Sequence, residues 1–171
     1  PSQQLDVIGI TGTNGKTTVI SMIAAVMDID GRPCRTIGTL TGARTTPEAT
    51  DLQQMLRGMA DAGCAACAME VSSHALDLHR VAGTHFRVAV FTNLSQDHLD
   101  HHRTMEAYFA AKARLFQPDF ADLAVLDVDD PHGRLLADTT AIPVIRYSLD
   151  QAIDLELTAA DIEGKKFFKG R

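Results

Sequence analysis

A glycine-rich turn near the start of the chain carries the residues with the clearest chemical potential. Its sequence is Gly12-Thr13-Asn14-Gly15-Lys16-Thr17-Thr18, and it lies between an apolar run, Leu5–Ile10, and an amphipathic segment that ends near Asp28. The glycines allow backbone amides to face an anion, Lys16 offers a positive charge to phosphates, and Thr17 offers a hydroxyl to a magnesium ion. Phosphates bound there would lie at a helix N-terminus, where the helix dipole favours negative charge.

The match to the general phosphate-loop pattern is imperfect. That pattern needs a glycine at position 10, where this chain has Ile10, and Gly9 lies one position early. An ordinary glycine-rich turn between a strand and a helix is the alternative interpretation. The preceding strand, the following helix and the Lys16-Thr17 pair together favour a nucleotide site.

Length and composition indicate a single cytoplasmic domain. With 171 residues the chain is long enough to bury one sizeable core. Its 16 basic and 22 acidic residues give a net charge of −6, without the basic stripe that would suit nucleic acid. No apolar run approaches the roughly 20 residues that span a bilayer, and the N-terminus lacks a secretory signal pattern. Three cysteines, an odd number, fit a reducing cytoplasm.

Apolar, β-branched runs alternate with helical patterns along the chain. The predicted strands are Leu5–Ile10, Cys34–Gly38, Ala65–Val71, Phe86–Thr92, Leu123–Val128 and Val144–Tyr147. The predicted helices are Thr17–Asp28, Pro47–Ala62, Thr104–Phe116 and Pro131–Ala137. This alternation predicts an α/β fold of the phosphate-loop NTPase type, with a mostly parallel sheet and helices on both faces. From Ile153 onward the pattern changes and predicts a short antiparallel hairpin at the C-terminus.

Polar side chains follow two of the predicted strands at their carboxyl ends. Glu70 lies where the third strand ends, beside the phosphate loop of a parallel sheet, and is a candidate magnesium ligand; a helix N-cap or a solvated loop acid is the alternative. After the fourth strand comes a cluster of two aspartates and three histidines: Asp97, His98, Asp100, His101 and His102. A zinc hydrolase site competes with a magnesium site shared with a nucleotide, and the phosphate loop favours magnesium.

Lys112 lies on the apolar stripe of the predicted helix Thr104–Phe116, at helical spacing from Tyr108 and Leu115. One interpretation is a lysine that buries its stem and extends its amine to water. The other is an amine desolvated beside metal ions, with a lowered pKa that makes it reactive. Spacing alone leaves both open.

Five motifs occur together and in an order that characterises one family. They are Gly12-Thr13-Asn14-Gly15-Lys16-Thr17-Thr18, Arg44-Thr45-Thr46-Pro47-Glu48, Met69-Glu70-Val71-Ser72-Ser73-His74-Ala75-Leu76, Thr92-Asn93-Leu94-Ser95-Gln96-Asp97-His98-Leu99-Asp100 and Tyr108-Phe109-Ala110-Ala111-Lys112. In these motifs the chain closely resembles the central ATP-binding domain of the Mur ligases, of the UDP-N-acetylmuramoyl-tripeptide synthetase (MurE) type. The resemblance extends over about residues 5–150.

The resemblance implies an ADP-forming ligase of peptidoglycan biosynthesis in the bacterial cytoplasm. ATP would phosphorylate a carboxylate of UDP-N-acetylmuramoyl-L-alanyl-D-glutamate to an acyl phosphate, and the amine of an amino acid would then displace phosphate. Diaminopimelate, lysine or another amino acid could be added, and the sequence leaves that choice open. The implied partners are thus the UDP-muramoyl-dipeptide and an amino acid, with no nucleic acid and no membrane span.

The resemblance also implies roles for particular residues. Lys16 and the amides of residues 13–18 would hold the triphosphate of ATP. Thr17 and Glu70 would bind one Mg²⁺, and Glu70 would share a second with His98 and with Lys112, which in this family is carbamylated by carbon dioxide. These assignments make Lys16, Glu70, His98 and Lys112 the implied catalytic residues. The positions that match contacts to the muramoyl-peptide substrate are Thr45, Thr46, Ser72 and Arg80.

Family members carry a UDP-binding domain before this one and an amino-acid-binding domain after it. We therefore expect residues 1–171 to form a single central domain, truncated at its C-terminal end, that lacks both flanking domains. Such a chain is expected to be inactive as a ligase on its own and to be capable of self-association. Two alternatives to a ligase domain stay open: a phosphate-loop kinase or NTPase, and a non-catalytic or partner-completed nucleotide-binding module.

Overall fold

The computed structural model describes residues 1–149, and within them strands and helices alternate. The strands of this part are β1 (Asp6–Thr11), β2 (Cys34–Ile37), β3 (Ala66–Glu70), β4 (Val88–Phe91), β5 (Ala124–Asp127) and β6 (Val144–Tyr147). The helices are α1 (Lys16–Ile29), α2 (Ala49–Asp61), α3 (Ser73–Asp77), α4 (Leu99–His102), α5 (Met105–Ala113) and α6 (Pro131–Thr139). A turn of 3-10 helix, Arg114–Phe116, continues α5.

The strands form one parallel sheet in the order β2-β3-β1-β4-β5-β6. The central strand, β1, pairs with β3 on one side and with β4 on the other. In this register Ile10 of β1 lies opposite Glu70 of β3 and Val90 of β4. The carboxyl ends of these three strands therefore meet at one edge, where ligands bind in sheets of this type.

Side chains along the strands alternate between two apolar clusters, one on each face of the sheet. In β3, Cys67 and Met69 belong to the larger cluster, whereas Ala66 and Ala68 belong to the smaller one. Helix α1 covers the smaller cluster with Ile20 and its neighbours. Buried side chains of α2, α5 and α6 cover the larger cluster: Leu52, Leu56, Tyr108 and Leu136. Helices thus pack on both faces, as the sequence predicts.

The ten strands and helices predicted within residues 1–149 are all present, with ends shifted by up to three residues. The predicted helix Thr104–Phe116 is α-helical only to Ala113 and ends as the 3-10 turn. The short helices α3 and α4 were not predicted, because four or five residues are too few to show a helical period. The predicted C-terminal hairpin lies outside the described residues.

Among residues 1–149, no helix has the combination of length and apolar character that crossing a membrane requires.

Candidate functional site

The glycine-rich turn joins β1 to α1 and lies against the end of β4. Gly12 has a φ of 145°, and a Cβ atom at this position would collide with the hydroxyl of Thr92. That hydroxyl donates a hydrogen bond to the carbonyl of Asn14 at 2.7 Å, and the amide of Asn14 donates to the side chain of Asn93 at 3.0 Å. The β4 end therefore fixes the path of the turn, and only glycine fits where the two approach most closely.

We expect Gly12→Ala to lower the free energy of unfolding by roughly 2–4 kcal/mol, because it combines an unfavourable φ with a steric collision. Gly31→Ala is the matched control, since Gly31 also has a positive φ, 73°, but nothing lies within 4 Å of its Cβ position. Its expected loss is about 1 kcal/mol. Urea unfolding of both variants measures the difference, and equal losses would show that Thr92 does not constrain the turn.

The start of α1 offers hydrogen-bond donors to an anion. Gly15 is the N-cap residue, with a φ of 84°, and no side chain caps the helix. The first amides of a helix lack partners within the helix, so those of Lys16, Thr17 and Thr18 can bind phosphate oxygens. The Lys16 Nζ folds back over the turn and donates to the carbonyls of Gly12 and Thr13 at 2.9 and 2.7 Å. Burial lowers the pKa of Lys16, although Glu70 and Asp97 oppose that effect.

Glu70 lies at the end of β3 and is only 1% exposed. Its Oε1 accepts hydrogen bonds from the hydroxyl of Thr17 and from the backbone amide of Thr39, both at 2.9 Å. The hydroxyl of Thr39 lies 3.4 Å from Oε2. A carboxylate and a hydroxyl that converge beside a phosphate-binding turn form the hard oxygen donor set that suits Mg²⁺. Thr17 and Glu70 therefore fit the metal site that the sequence predicts.

Lys112 lies on α5 and is also 1% exposed. Its Nζ donates to the carbonyl of Gly12 at 2.9 Å and lies 4.5 Å from the centre of the Tyr108 ring. Burial lowers the pKa of Lys112 to about 7, with a further contribution from the positive charge of Lys16. Of the two interpretations left open by spacing, the structure supports the desolvated amine, because this side chain does not reach bulk water.

The polar cluster after β4 divides into two parts. Asp97 and His98 face the same cavity as Lys16 and Lys112. His98 has a left-handed backbone, with φ 52°, and its side chain is half-exposed. The side chains of His101 and His102 instead lie within hydrogen-bond distance of Asp77 and Ser73, which belong to α3.

The four predicted substrate-contacting residues line one wall of the cavity. Thr46 is buried, and its hydroxyl donates to the carbonyl of Glu70 at 2.9 Å and accepts from the amide of Ser72 at 3.1 Å. Ser72 caps α3 through its hydroxyl. The Thr45 hydroxyl lies 3.1 Å from the Thr39 hydroxyl, which in turn lies 3.4 Å from Oε2 of Glu70. Thr46 and Ser72 thus position Glu70 and α3 in this structure.

Arg80 completes this wall. Its Nε lies 3.1 Å from a carboxylate oxygen of Glu48, which also pairs with Arg44. The two guanidinium groups share one carboxylate, so these three side chains together carry a net positive charge, which suits an anionic substrate.

A single open cavity of about 590 Å³ brings the predicted residues together. Of the fourteen predicted site residues, all but Gly12 and Thr18 line it: Thr13, Asn14, Gly15, Lys16, Thr17, Thr45, Thr46, Glu70, Ser72, Arg80, His98 and Lys112. The lining residues that the sequence prediction did not assign to the site are Thr39, Ala43, Arg44, Ser73, His74 and Asp97. Thr39 follows the carboxyl end of β2, so the rule that identified Glu70 could have identified it too.

Comparisons with known proteins show which family the chain resembles. The chain is 43% identical to the UDP-N-acetylmuramoyl-L-alanyl-D-glutamate--2,6-diaminopimelate ligase of Geobacter metallireducens, over 96% of this chain and 36% of the relative. It is 50% identical to the ligase of the same name from Synechococcus elongatus, over 87% of this chain and 32% of the relative. The chain therefore spans about a third of the length of these curated relatives.

Two solved structures resemble the chain in fold. A structure of a UDP-N-acetylmuramoyl-L-alanyl-D-glutamate--2,6-diaminopimelate ligase matches with a TM-score of 0.77 and 38% identity, over 86% of this chain and 32% of that one. Mycobacterium tuberculosis folylpolyglutamate synthase, complexed with ADP and AMPPCP, matches with a TM-score of 0.58 at 18% identity, over 85% of this chain and 43% of that one, and shares the fold. The model of the Mur ligase middle domain matches residues 10–169, and the chain belongs to this family.

Proposed function

We propose that this chain is the ATP-binding centre of an enzyme that adds an amino acid to UDP-N-acetylmuramoyl-L-alanyl-D-glutamate in peptidoglycan biosynthesis. The observation that carries the proposal is the buried carboxylate of Glu70, hydrogen-bonded to the Thr17 hydroxyl beside a phosphate-binding turn. The named activity of the aligned relatives supports it. This reaction uses cytoplasmic nucleotides, so the proposed location is the bacterial cytoplasm.

In this proposal the chain's own residues bind and orient the triphosphate of ATP. The amides at the start of α1 and the turn 12–16 donate to phosphate oxygens, and Lys16 exchanges its two carbonyl partners for a phosphate. Thr17 and Glu70 would hold one Mg²⁺, and Glu70, His98 and a carbamylated Lys112 would hold a second. Bound Mg²⁺ supplies charge neutralisation to the phosphates during transfer. The γ-phosphoryl group passes to the substrate carboxylate, which releases ADP and leaves an acyl phosphate.

The role proposed for Lys112 requires a chemical change, since a cation would repel Mg²⁺. The nitrogen of a neutral amine bonds to the carbon of carbon dioxide and gives up one proton to solvent, which leaves a carbamate, an anion with two oxygens. A pKa of about 7 leaves about half of the Lys112 side chains neutral at neutral pH. The burial that depresses this pKa therefore supports carbamylation of Lys112, which would convert a cation into a metal ligand.

The substrate side of the cavity is proposed to bind the muramoyl-peptide. Arg80 and Thr45 line it and are the candidates for direct contact, while Thr46 and Ser72 hold the wall in place. The second substrate is proposed to be 2,6-diaminopimelate, because the relatives cited above are named as ligases for this amino acid.

The decisive experiment uses the natural full-length protein that carries this sequence. It is supplied with ATP, Mg²⁺, UDP-N-acetylmuramoyl-L-alanyl-D-glutamate and 2,6-diaminopimelate, and ADP and the tripeptide product are followed together. We expect one ADP for each product molecule, and a loss of at least about 100-fold in kcat for Glu70→Gln, which keeps the size of the side chain but removes its charge. ADP release without any tripeptide would instead identify a kinase or NTPase. No turnover and no dependence on Glu70 would favour a binding module.

The boundaries of the functional unit are also a proposal. The relatives are about three times as long as the aligned segment. Ligation also requires two substrates to be held in line, and such positioning can by itself accelerate a reaction greatly. We therefore propose that residues 1–171 form the central domain and that they do not ligate by themselves. Self-association of this domain stays a prediction.

A further inference from the structure

A cluster of histidines lies beside the candidate ATP cavity and is not used by the proposed reaction. Helix α3 supplies His74 and Asp77, and helix α4 supplies His101 and His102. The ring centre of His101 lies 4.2 Å from that of His74 and 4.6 Å from that of His102. Three imidazoles and one carboxylate thus meet where the two short helices face each other.

Three side chains of this cluster, Asp77, His101 and His102, have donor atoms close enough together to be brought onto one metal ion. Nε2 of His101 lies 2.9 Å from Oδ2 of Asp77. One donor atom from each of Asp77, His101 and His102 lies within 4.8 Å of the other two. Zinc bonds to nitrogen and oxygen are about 2.0–2.2 Å long, so its donors need to be roughly 3–4 Å apart. Small rotations of these side chains would reach that geometry.

The surroundings also favour a metal that binds imidazole. The His102 ring is buried and held by the Ser73 hydroxyl, 2.9 Å from Nε2, so this donor is already oriented. His101 and Asp77 are 30% and 49% exposed, which gives an ion a path of entry and a position for water.

We propose that Asp77, His101 and His102 bind one divalent transition-metal ion of the zinc class, separate from the Mg²⁺ ions of the nucleotide site. Two imidazoles and one carboxylate suit zinc and its neighbours, whereas Mg²⁺ prefers oxygen ligands alone. The ion would join α3 to α4. It would thereby fix the loop that carries His98 relative to the strand end that carries Glu70. This site does not depend on the proposed ligase function.

The test is equilibrium dialysis of the 171-residue chain against Zn²⁺ in the presence of a large excess of Mg²⁺. We expect one Zn²⁺ per chain and an affinity at least about tenfold weaker in His101→Phe and in Asp77→Asn, since even an outer-shell change costs about 10–100-fold. His85→Phe is the matched control. His85 also pairs with an aspartate, Asp122, at 3.2 Å, but within residues 1–149 it has no third metal-binding side chain beside it. Its affinity should equal that of the unchanged chain.

Three outcomes would overturn the site. The first is stoichiometric Zn²⁺ retained by both His101→Phe and Asp77→Asn. The second is an equal loss in His85→Phe. The third is release of the Zn²⁺ by Mg²⁺ and ATP, which would assign the ion to the nucleotide site.

Circular dichroism checks that each variant folds. Should the His101 variant fail to fold, Co²⁺ bound to the unchanged chain decides: a visible spectrum of nitrogen and oxygen ligands that survives addition of Mg²⁺ and ATP supports the site, and its absence refutes it.

Discussion

Replacing Lys16 with alanine is expected to abolish the stabilisation of this chain by ATP and Mg²⁺. The ammonium group of Lys16 is held over the phosphate-binding turn by two carbonyls, at 2.9 and 2.7 Å, and has no carboxylate hydrogen-bond partner within residues 1–149. A phosphate oxygen would offer it a charge-assisted bond, and such bonds contribute about 1.5–3 kcal/mol each. Losing two of them, one for each carbonyl partner that the phosphates replace, weakens binding by roughly 100- to 10,000-fold.

Thermal unfolding with and without nucleotide measures this effect. At a ligand concentration 100 times Kd, binding adds about 2.7 kcal/mol, which raises Tm by roughly 5–11 °C for a chain of this size. We expect that increase in the unchanged chain and less than about 2 °C in Lys16→Ala at the same ATP concentration.

Arg57→Ala is the control for Lys16→Ala. Arg57 also carries a positive charge, but it lies on α2, is 59% exposed and pairs with Asp61. It should therefore leave the nucleotide-dependent increase in Tm unchanged. An equal increase in Lys16→Ala and in the unchanged chain would remove Lys16 from the phosphate site.

The fold was largely predictable because the central strands of the parallel sheet, such as β3 and β4, are buried on both faces. Such strands give continuous apolar runs, and the helices between them give a second period. The predicted ends of the strands and helices were less accurate. Phe86, for example, was predicted to begin the fourth strand, but it forms only an isolated bridge with Ala121, and β4 begins at Val88. Ends depend on caps and tertiary hydrogen bonds, which local sequence does not specify.

The site was predictable to the extent that it follows strand ends. Glu70 and the phosphate-binding turn come from neighbouring strands, so topology alone brings them together. The sequence could not decide whether the Lys112 amine is buried, because a buried lysine and one that reaches solvent occupy the same position on an apolar stripe. The structure decides it, since burial depends on tertiary packing. The pairing of His101 with Asp77 was not predictable, because it needs the mutual orientation of two helices too short to be recognised.

The burial of Lys112 has a measurable consequence for stability. Its pKa falls from 10.5 to about 7 on folding, so between these values the unfolded chain binds more protons than the folded chain. Stability therefore rises with pH through this window, and the full penalty of a buried ammonium group is felt below pH 7. That penalty is on the order of a few kcal/mol, since one pKa unit corresponds to about 1.4 kcal/mol.

Lys112→Met removes the charge and keeps an unbranched apolar stem. It loses the bond from Nζ to the Gly12 carbonyl, which is worth about 1–2 kcal/mol, so the variant should still be the more stable chain at pH 6. Its advantage should shrink as pH rises from 7 toward 10.5. The folded wild-type amine is already neutral in this range, and the unfolded amine loses its proton progressively as the pH approaches 10.5, which removes the penalty for folding. Urea unfolding of both chains across this range measures the difference, in which all other titrating groups cancel to first order.

A difference in stability that does not change with pH would mean that Lys112 keeps its ordinary pKa and remains charged at neutral pH. Carbamylation would then lack the neutral amine that it requires. The second measurement is a carbon-13 spectrum of the chain in labelled bicarbonate, where a carbamate resonance is expected in the wild type and not in Lys112→Met. Because bound carbon dioxide would itself stabilise the folded chain, the pH series is run in buffer freed of bicarbonate. The two experiments thus separate the depressed pKa, which follows from burial, from the modification that the depressed pKa permits.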